Sequence, residues 1–196
     1  HEFSSNYVEE STSLQHRNTL KVITCISKAL SFLHNHGVAH RDLKSENILV
    51  ATEQVEGGHE ITDVRLIDLG IACYLDDDDA KIECCGSRGF IAPESILRNV
   101  GDLRKVDIWS LACTILERCC PDWFEREWFP VYVNMDFKNP GQAQMMELHH
   151  AVDAAFSQLA LMKSVVFSFM QKALVVNPSR RSGTINLGND GSNMNR

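Results

Sequence analysis

Long apolar runs are missing from this 196-residue chain, and so is an excess of positive charge. No stretch approaches the roughly 20 consecutive apolar residues that a membrane-spanning helix needs, so we expect no membrane span. Lysine and arginine total 19 against 26 aspartates and glutamates, which gives a net charge of −7. Because phosphate backbones are bound by basic surfaces, this balance argues against nucleic acid as a partner.

The seven cysteines include no Cys-x-x-Cys pair, the spacing that zinc sites commonly use. Their number is odd, several fall in apolar helical patterns, and no apolar leader with a small-residue cleavage site precedes them. We therefore expect reduced thiols that pack as small apolar side chains. This usage predicts an intracellular location, in the cytoplasm or the nucleus.

Apolar residues recur at helical spacing over much of the chain, which predicts a mainly α protein. The predicted helices cover residues 14–34, 106–119, 146–158 and 161–176. Strands are expected only at residues 48–50 and 64–67, as a small hairpin connected by the polar stretch 51–60. Two segments show no sustained period: a long loop at 71–92 and an irregular aromatic stretch at 121–145.

A charged loop, His-Arg-Asp-Leu-Lys-Ser-Glu-Asn, follows the first predicted helix at residues 40–47. It places the carboxylate of Asp42, the ammonium of Lys44 and the carboxamide of Asn47 within six residues. A carboxylate can accept the proton of a hydroxyl, an ammonium can neutralise a moving phosphoryl group, and an amide oxygen can bind a hard cation. The loop therefore contains the residue types that phosphoryl transfer requires.

This loop resembles the catalytic loop of protein kinases, and three more segments of that family follow in the family's order. Asp68-Leu69-Gly70 resembles the metal-binding Asp-Phe-Gly. Residues 86–94, Gly-Ser-Arg-Gly-Phe-Ile-Ala-Pro-Glu, resemble the segment that recognises the substrate just past the phosphoacceptor. Residues 106–111, Val-Asp-Ile-Trp-Ser-Leu, resemble the helix behind the catalytic loop. Leu69 in place of Phe and Ala112 in place of the common Gly are departures from the pattern.

The resemblance implies the fold of a protein kinase large lobe, helical with a small β-hairpin near the catalytic loop. The lobe would span residues 14–182, with the catalytic loop at 40–47 and the activation segment at 68–94. A polar N-terminal segment (1–13) and a flexible tail (183–196) would flank it.

The resemblance also implies catalytic and cofactor roles. Asp42, Lys44 and Ser87 would be catalytic, with Ser87 hydrogen-bonded to both Asp42 and Lys44. Asn47 and Asp68 would hold the Mg²⁺ that bridges the phosphates of ATP. Leu49 would lie either in the core or under the adenine ring.

Other matching residues would support the site. Asp107 either caps its helix or holds the backbone of the catalytic loop, and these two interpretations are compatible. Glu94 would pair with Arg181 in the core. His40 and Arg41 would complete the catalytic loop.

Glu83 is a candidate for regulation. An arginine beside the catalytic aspartate, here Arg41, marks kinases whose activation loop is ordered by a bound phosphate. The usual phosphorylation site aligns with Glu83, so one hypothesis is that Glu83 pairs with Arg41. The alternative is a solvated glutamate beside Lys81.

Lys44 and Ser87 match the serine/threonine pattern, so the expected partners are a protein substrate and ATP with Mg²⁺. The sequence contains no Gly-x-Gly-x-x-Gly and no Val-Ala-Ile-Lys-like strand, so the small β-rich lobe is expected to be absent. We expect a fragment of a serine/threonine protein kinase, weakly active or inactive alone. The alternative is a catalytically impaired, kinase-like binding or scaffolding module.

Overall fold

The computed structural model describes residues 12–160 and 165–183. Within these ranges the helices are α1 (Thr12–Asn35), α2 (Asp78–Ile82), α3 (Pro93–Ile96), α4 (Leu103–Cys119), α5 (Pro121–Trp123), α6 (Phe129–Val133), α7 (Gln142–Leu159) and α8 (Val165–Ala173). The strands are β1 (Val38–Ala39), β2 (Ile48–Val55), β3 (Gly58–Leu66) and β4 (Cys73–Tyr74). The prediction of a mainly α fold with a small hairpin beside the catalytic loop is confirmed.

Parts of the predicted organisation lie outside the described residues. The polar segment 1–13 does so except for its last two residues, and the tail 183–196 does so except for Gly183. The same holds for residues 161–164, where the last predicted helix was expected to start. Among the described residues, no helix combines the length and apolarity needed to cross a membrane.

Helix α4 forms the centre of the core. Twelve of its residues are buried, and helices α1 and α8 both pack against it. It begins three residues before the predicted start because the Asp102 side chain caps it, accepting a hydrogen bond from the Arg104 backbone N–H at 3.0 Å. Burying one large apolar side chain stabilises the folded state by about 1.5–3 kcal/mol. Because α4 buries many of its side chains, it is a rigid support for the residues that contact it.

Strands β2 and β3 form an antiparallel hairpin that is longer than predicted. Val55 pairs with Gly58, so the polar stretch 51–60 is mostly strand and only a two-residue turn connects the two strands. The prediction of a long connection was wrong because a two-stranded hairpin exposes most of its side chains to water, and polar residues are therefore compatible with it. Ile48 is fully buried, whereas Leu49 is 39% exposed.

Asn18 ties this hairpin to helix α1. Its side-chain Nδ2 donates to the His59 carbonyl at 2.8 Å, and its Oδ1 accepts from the Ile61 backbone N–H at 2.9 Å. A buried carboxamide thus satisfies two backbone groups of β3 that lack a strand on that side. The hairpin, and with it the end of the catalytic loop, is fixed to the core.

The stretch 121–145 was predicted to be irregular, which is correct for residues 134–141 but wrong for its aromatic part, residues 121–133, and for the start of α7 at Gln142. The aromatic part forms α5, a π-helical turn (Phe124–Trp128) and α6 without interruption. Phe124 and Trp128 are buried, and the Trp128 ring lies 6.1 Å from that of Trp109 and 5.8 Å from that of Tyr132, measured between centroids. Phe129 stays 37% exposed. Hydrogen bonds in a π-helical turn span five residues instead of the four of an α-helix. This turn follows the packing of the aromatic rings, which the apolar periodicity of an α-helix does not predict.

Candidate active site

The backbone of the catalytic loop is held from behind by Asp107. This carboxylate on α4 is fully buried and accepts hydrogen bonds from the backbone N–H groups of His40 at 2.9 Å and Arg41 at 2.8 Å. The Nε2 atom of His34 lies 2.7 Å from the same carboxylate. Arg41 has a φ of +69°, a conformation that most residues avoid. Asp107 therefore stabilises a strained turn immediately before Asp42.

Asp42, Lys44 and Ser87 come together at one point, although residue 87 is 43 positions beyond residue 44. Lys44 Nζ donates to Ser87 Oγ at 2.7 Å and lies 3.4 Å from Asp42 Oδ2. Ser87 makes no hydrogen bond to Asp42 among the described residues, so Lys44 alone connects them. Asp42 Oδ1 is buried and accepts no hydrogen bond from any residue of 12–160 or 165–183.

Asn47 holds the same loop from the other side. Its Nδ2 donates to the Asp42 carbonyl at 2.7 Å and lies 3.4 Å from Asp42 Oδ2. Its own backbone carbonyl accepts from the Ile67 backbone N–H at 3.0 Å, which places the start of the Asp68 turn beside it. With its N–H groups directed at Asp42, the amide oxygen of Asn47 is left for another ligand.

Asp68 is exposed and has a φ of +67°. Its Oδ1 accepts from the Gly70 backbone N–H at 2.9 Å, and a Cβ at position 70 would meet the same oxygen at 2.9 Å. Only glycine allows this close approach without displacing the carboxylate. The Asp-Leu-Gly turn thus presents one carboxylate oxygen to solvent beside Asn47.

No group of three or more His, Cys, Asp or Glu residues that could hold a metal occurs in the part of the chain that the structure describes. A Mg²⁺ site on a nucleotide does not require one, since this ion commonly takes one or two protein oxygens together with phosphates and water. The unengaged oxygens of Asn47 and Asp68 fit that requirement. The half-exposed Leu49 offers an apolar surface nearby for a flat ring.

Arg41 and Glu83 form an ion pair across the activation segment. The guanidinium Nη2 lies 2.7 Å from the Glu83 carboxylate, with 6% of the Arg41 side chain exposed and 63% of that of Glu83. The same Nη2 also contacts Cys85 Sγ. Burial opposes the charge of Arg41, but the hydrogen bond to Glu83 and the neighbouring sulfurs hold its pKa above the ordinary value. Lys81, the alternative neighbour of Glu83, pairs instead with Asp78 at 2.8 Å.

Burial also raises the pKa of the Cys85 thiol, an effect that Arg41 only partly offsets. The same holds for Cys73, which contacts Arg41 as well. Thiols with a raised pKa stay protonated at neutral pH and are weak nucleophiles. All seven cysteines carry free thiols.

Three side chains donate hydrogen bonds to the consecutive backbone carbonyl groups of residues 89–91. Trp128 Nε1 donates to the Gly89 carbonyl at 2.8 Å. Ser110 Oγ donates to the Phe90 carbonyl at 2.8 Å, and Tyr132 Oη donates to the Ile91 carbonyl at 3.0 Å. All three donors are buried, so this carbonyl clamp fixes residues 89–91 to the core.

Glu94 and Arg181 form a bidentate ion pair with distances of 2.5 Å and 3.0 Å. Both side chains are almost fully buried, at 4% and 0% exposed. The Arg181 guanidinium also donates to the carbonyls of Lys105 and Val175, both at 2.9 Å, and lies 4.9 Å from the Trp109 ring centroid. The pair joins the end of the activation segment to the end of the described chain.

Sequence reasoning missed four of the residues that position the site. Asn18, Ser110, Trp128 and Tyr132 act through hydrogen bonds to distant backbone groups. Their one sequence signal is a polar group inside an apolar helical pattern, as at Ser110 and Asn18. A buried polar group indicates that a hydrogen-bond partner exists, but the sequence does not identify that partner.

Comparison with known proteins indicates the same family as the geometry of the site. The family model described as "Protein kinase domain" matches residues 2–190. The chain is 31% identical over 130 residues to the phosphorylase b kinase gamma catalytic chain, liver/testis isoform, of Bos taurus, covering 62% of this chain and 30% of that protein.

Two further relatives are matched over more of the chain. It is 31% identical over 163 residues to the serine/threonine-protein kinase kin-29 of Caenorhabditis briggsae, which is 82% of this chain and 17% of that protein. It is 32% identical over 162 residues to the serine/threonine-protein kinase sck1 of Schizosaccharomyces pombe, which is 80% and 20% respectively. The chain thus spans less than a third of the length of these relatives. From the family match and the site geometry together, we conclude that the chain belongs to the protein kinase domain family.

Proposed function

We propose that this chain is the large lobe of a serine/threonine protein kinase, and that the full-length protein transfers the γ-phosphate of ATP to serine or threonine hydroxyls of a protein substrate. The observation that carries the proposal is the Lys44–Ser87 hydrogen bond of 2.7 Å beside the unpartnered Oδ1 of Asp42. A hydroxyl placed at that oxygen can lose its proton to Asp42, while Lys44 offsets negative charge on the incoming phosphoryl group.

The nucleotide would lie between Leu49 and the Asp68 turn. Mg²⁺-bound ATP supplies the transferable phosphoryl group and part of the charge neutralisation. Asn47 and Asp68 would hold the cation through their unengaged oxygens, and Leu49 would contact the adenine ring. The proposed lobe covers residues 14–182, with its catalytic loop at 40–47 and its activation segment at 68–94.

The acceptor specificity gives the direct test. We expect the full-length protein that contains these residues to transfer ³²P from Mg²⁺-ATP to serine and threonine peptides and not to matched tyrosine peptides. The present 196 residues alone should show weak nucleotide affinity and little transfer, because their sequence contains neither a Gly-x-Gly-x-x-Gly segment nor a Val-Ala-Ile-Lys-like strand to bind the phosphates. Transfer to tyrosine alone would contradict the proposed acceptor. Absence of transfer by the full-length protein with every peptide would favour the binding or scaffolding module.

The Arg41–Glu83 pair predicts that the activation segment needs no added phosphate to be ordered. Replacing Glu83 with Gln removes the charge but keeps the shape, so turnover should fall by roughly fivefold, the equivalent of about 1 kcal/mol for a pair with one exposed partner. Turnover of the full-length protein is measured on a serine peptide at saturating ATP. Glu56→Gln, in the turn of the β2–β3 hairpin, is the matched control and should leave the rate unchanged. If Glu83→Gln turns over as fast as the unmodified protein, the Arg41–Glu83 pair does not order the activation segment.

A further inference from the structure

Arg88 is an exposed cation one residue along the chain from the proposed phosphoacceptor site. It follows Ser87, whose hydroxyl is bonded to Lys44. The guanidinium carbon of Arg88 lies 5.4 Å from the ring centroid of Phe137. Arg88 forms no ion pair with a carboxylate of residues 12–160 or 165–183. Such a cation, oriented by an aromatic ring but lacking a counter-ion, has its donors available to a ligand.

The carboxylate nearest to Phe137 in sequence is engaged elsewhere. Asp136 Oδ1 accepts hydrogen bonds from the backbone N–H groups of Lys138 at 2.9 Å and Asn139 at 3.3 Å. It therefore caps its own turn instead of neutralising Arg88. The positive charge at position 88 is uncompensated by any neighbour that the structure describes.

The backbone that presents Arg88 is rigid on both sides. Ser87 is bonded to Lys44, and the carbonyl of Gly89 is held by Trp128 at 2.8 Å. Gly89 has a φ of +90°, and a Cβ there would meet the Phe129 ring at 3.1 Å. Glycine is thus favoured at position 89, where the Phe129 ring packs closely against the backbone that follows Arg88. Because the backbone that carries this cation is already fixed, binding a ligand there costs little backbone entropy. A fixed position also favours discrimination between acidic and basic ligands.

We propose that Arg88 selects substrates that carry an acidic side chain immediately after the phosphoacceptor residue. This inference rests on the proposed kinase function and specifies its substrate class. An aspartate or glutamate in that position would accept a charge-assisted hydrogen bond from the guanidinium while the acceptor hydroxyl lies at Asp42. A basic residue in the same position would be rejected by like charge.

Matched peptides that differ by one residue test the assignment. One has Ser-Asp, the second Ser-Asn and the third Ser-Lys, in otherwise identical neutral sequences. Binding to the purified chain is measured by fluorescence anisotropy, and kcat/KM is measured with the full-length protein. We expect the Ser-Asp peptide to exceed Ser-Asn by about fivefold in both measurements, the size typical of one exposed charge pair, and to lose this advantage at high salt.

Three variants assign the preference to position 88. Arg88→Gln should make the Ser-Asp and Ser-Asn peptides equivalent, and Arg88→Glu should favour Ser-Lys. Arg65→Gln, which removes an exposed arginine from β3, is the control and should keep the acidic preference.

The two proposals fail separately. Equal anisotropy for Ser-Asp and Ser-Asn, including no binding of either, would overturn the assignment of Arg88, as would an acidic preference that survives Arg88→Gln. If the Arg88-dependent binding difference appears but no peptide is phosphorylated by the full-length protein, the kinase proposal is wrong and the peptide site stands.

Discussion

The Asp42→Asn variant of the full-length protein should phosphorylate a serine peptide about 10²–10⁴ times more slowly than the unmodified protein, since this is the usual contribution of a general base. In the proposed reaction this carboxylate accepts the hydroxyl proton: its Oδ1 is buried and has no partner among the described residues, and Lys44, which is bonded to Ser87, lies 3.4 Å from its Oδ2. A carboxamide of the same shape cannot take that proton. The loss should fall on kcat, with KM for peptide and ATP little changed.

Stability should separate this effect from misfolding. The Asp42 side chain makes only two long contacts within the described ranges, 3.4 Å to Lys44 and 3.4 Å to Asn47, so an asparagine should change the free energy of unfolding by less than about 1 kcal/mol. Asp63→Asn on the exposed face of β3 serves as the control for kcat and should leave it unchanged. An Asp42→Asn variant with ordinary kcat would exclude Asp42 as the base.

The largest loss of stability is expected from Arg181→Met. Arg181 is fully buried and its guanidinium satisfies both oxygens of Glu94 as well as backbone carbonyls, including those of Lys105 and Val175. Removing it leaves the Glu94 carboxylate buried without a counter-ion, which typically destabilises a protein by about 3–5 kcal/mol. Urea unfolding of the purified chain, followed by tryptophan fluorescence, measures this loss, because the Trp109 ring contacts the guanidinium.

The adjacent Arg180 provides a matched control. It is exposed, so Arg180→Met should change the free energy of unfolding by no more than about 0.5 kcal/mol. The double variant Glu94→Gln with Arg181→Met should recover part of the loss, because it removes the unpaired charge. Equal effects of Arg180→Met and Arg181→Met, or no recovery in the double variant, would show that the pair does not stabilise the fold.

Residues whose partners lie within a short motif were predictable from sequence. The order of Asp42, Lys44 and Asn47 along one loop is enough to indicate phosphoryl-transfer chemistry, because all three act from eight consecutive residues. The same motif comparison led to the contacts of Asp107 with the catalytic loop and of Arg181 with Glu94, which the structure contains. Whether these residues carry the proposed catalytic roles stays a prediction.

The remaining features depend on packing across the chain, which local patterns do not encode. The polar strands of the hairpin are stabilised by Asn18, 41 positions before His59. The π turn at residues 124–128 follows the stacking of Phe124 on Trp128 and of Trp128 on Trp109 of α4. In both cases the tertiary contact overrides the local preference.

The carbonyl clamp on residues 89–91 has a consequence for how this domain could diversify. Trp128, Ser110 and Tyr132 bind main-chain oxygens, which every amino acid possesses, and none of them binds the side chain of residue 88. Folding therefore imposes little constraint on that side chain, and a single codon change at position 88 should alter the proposed substrate preference with almost no loss of stability.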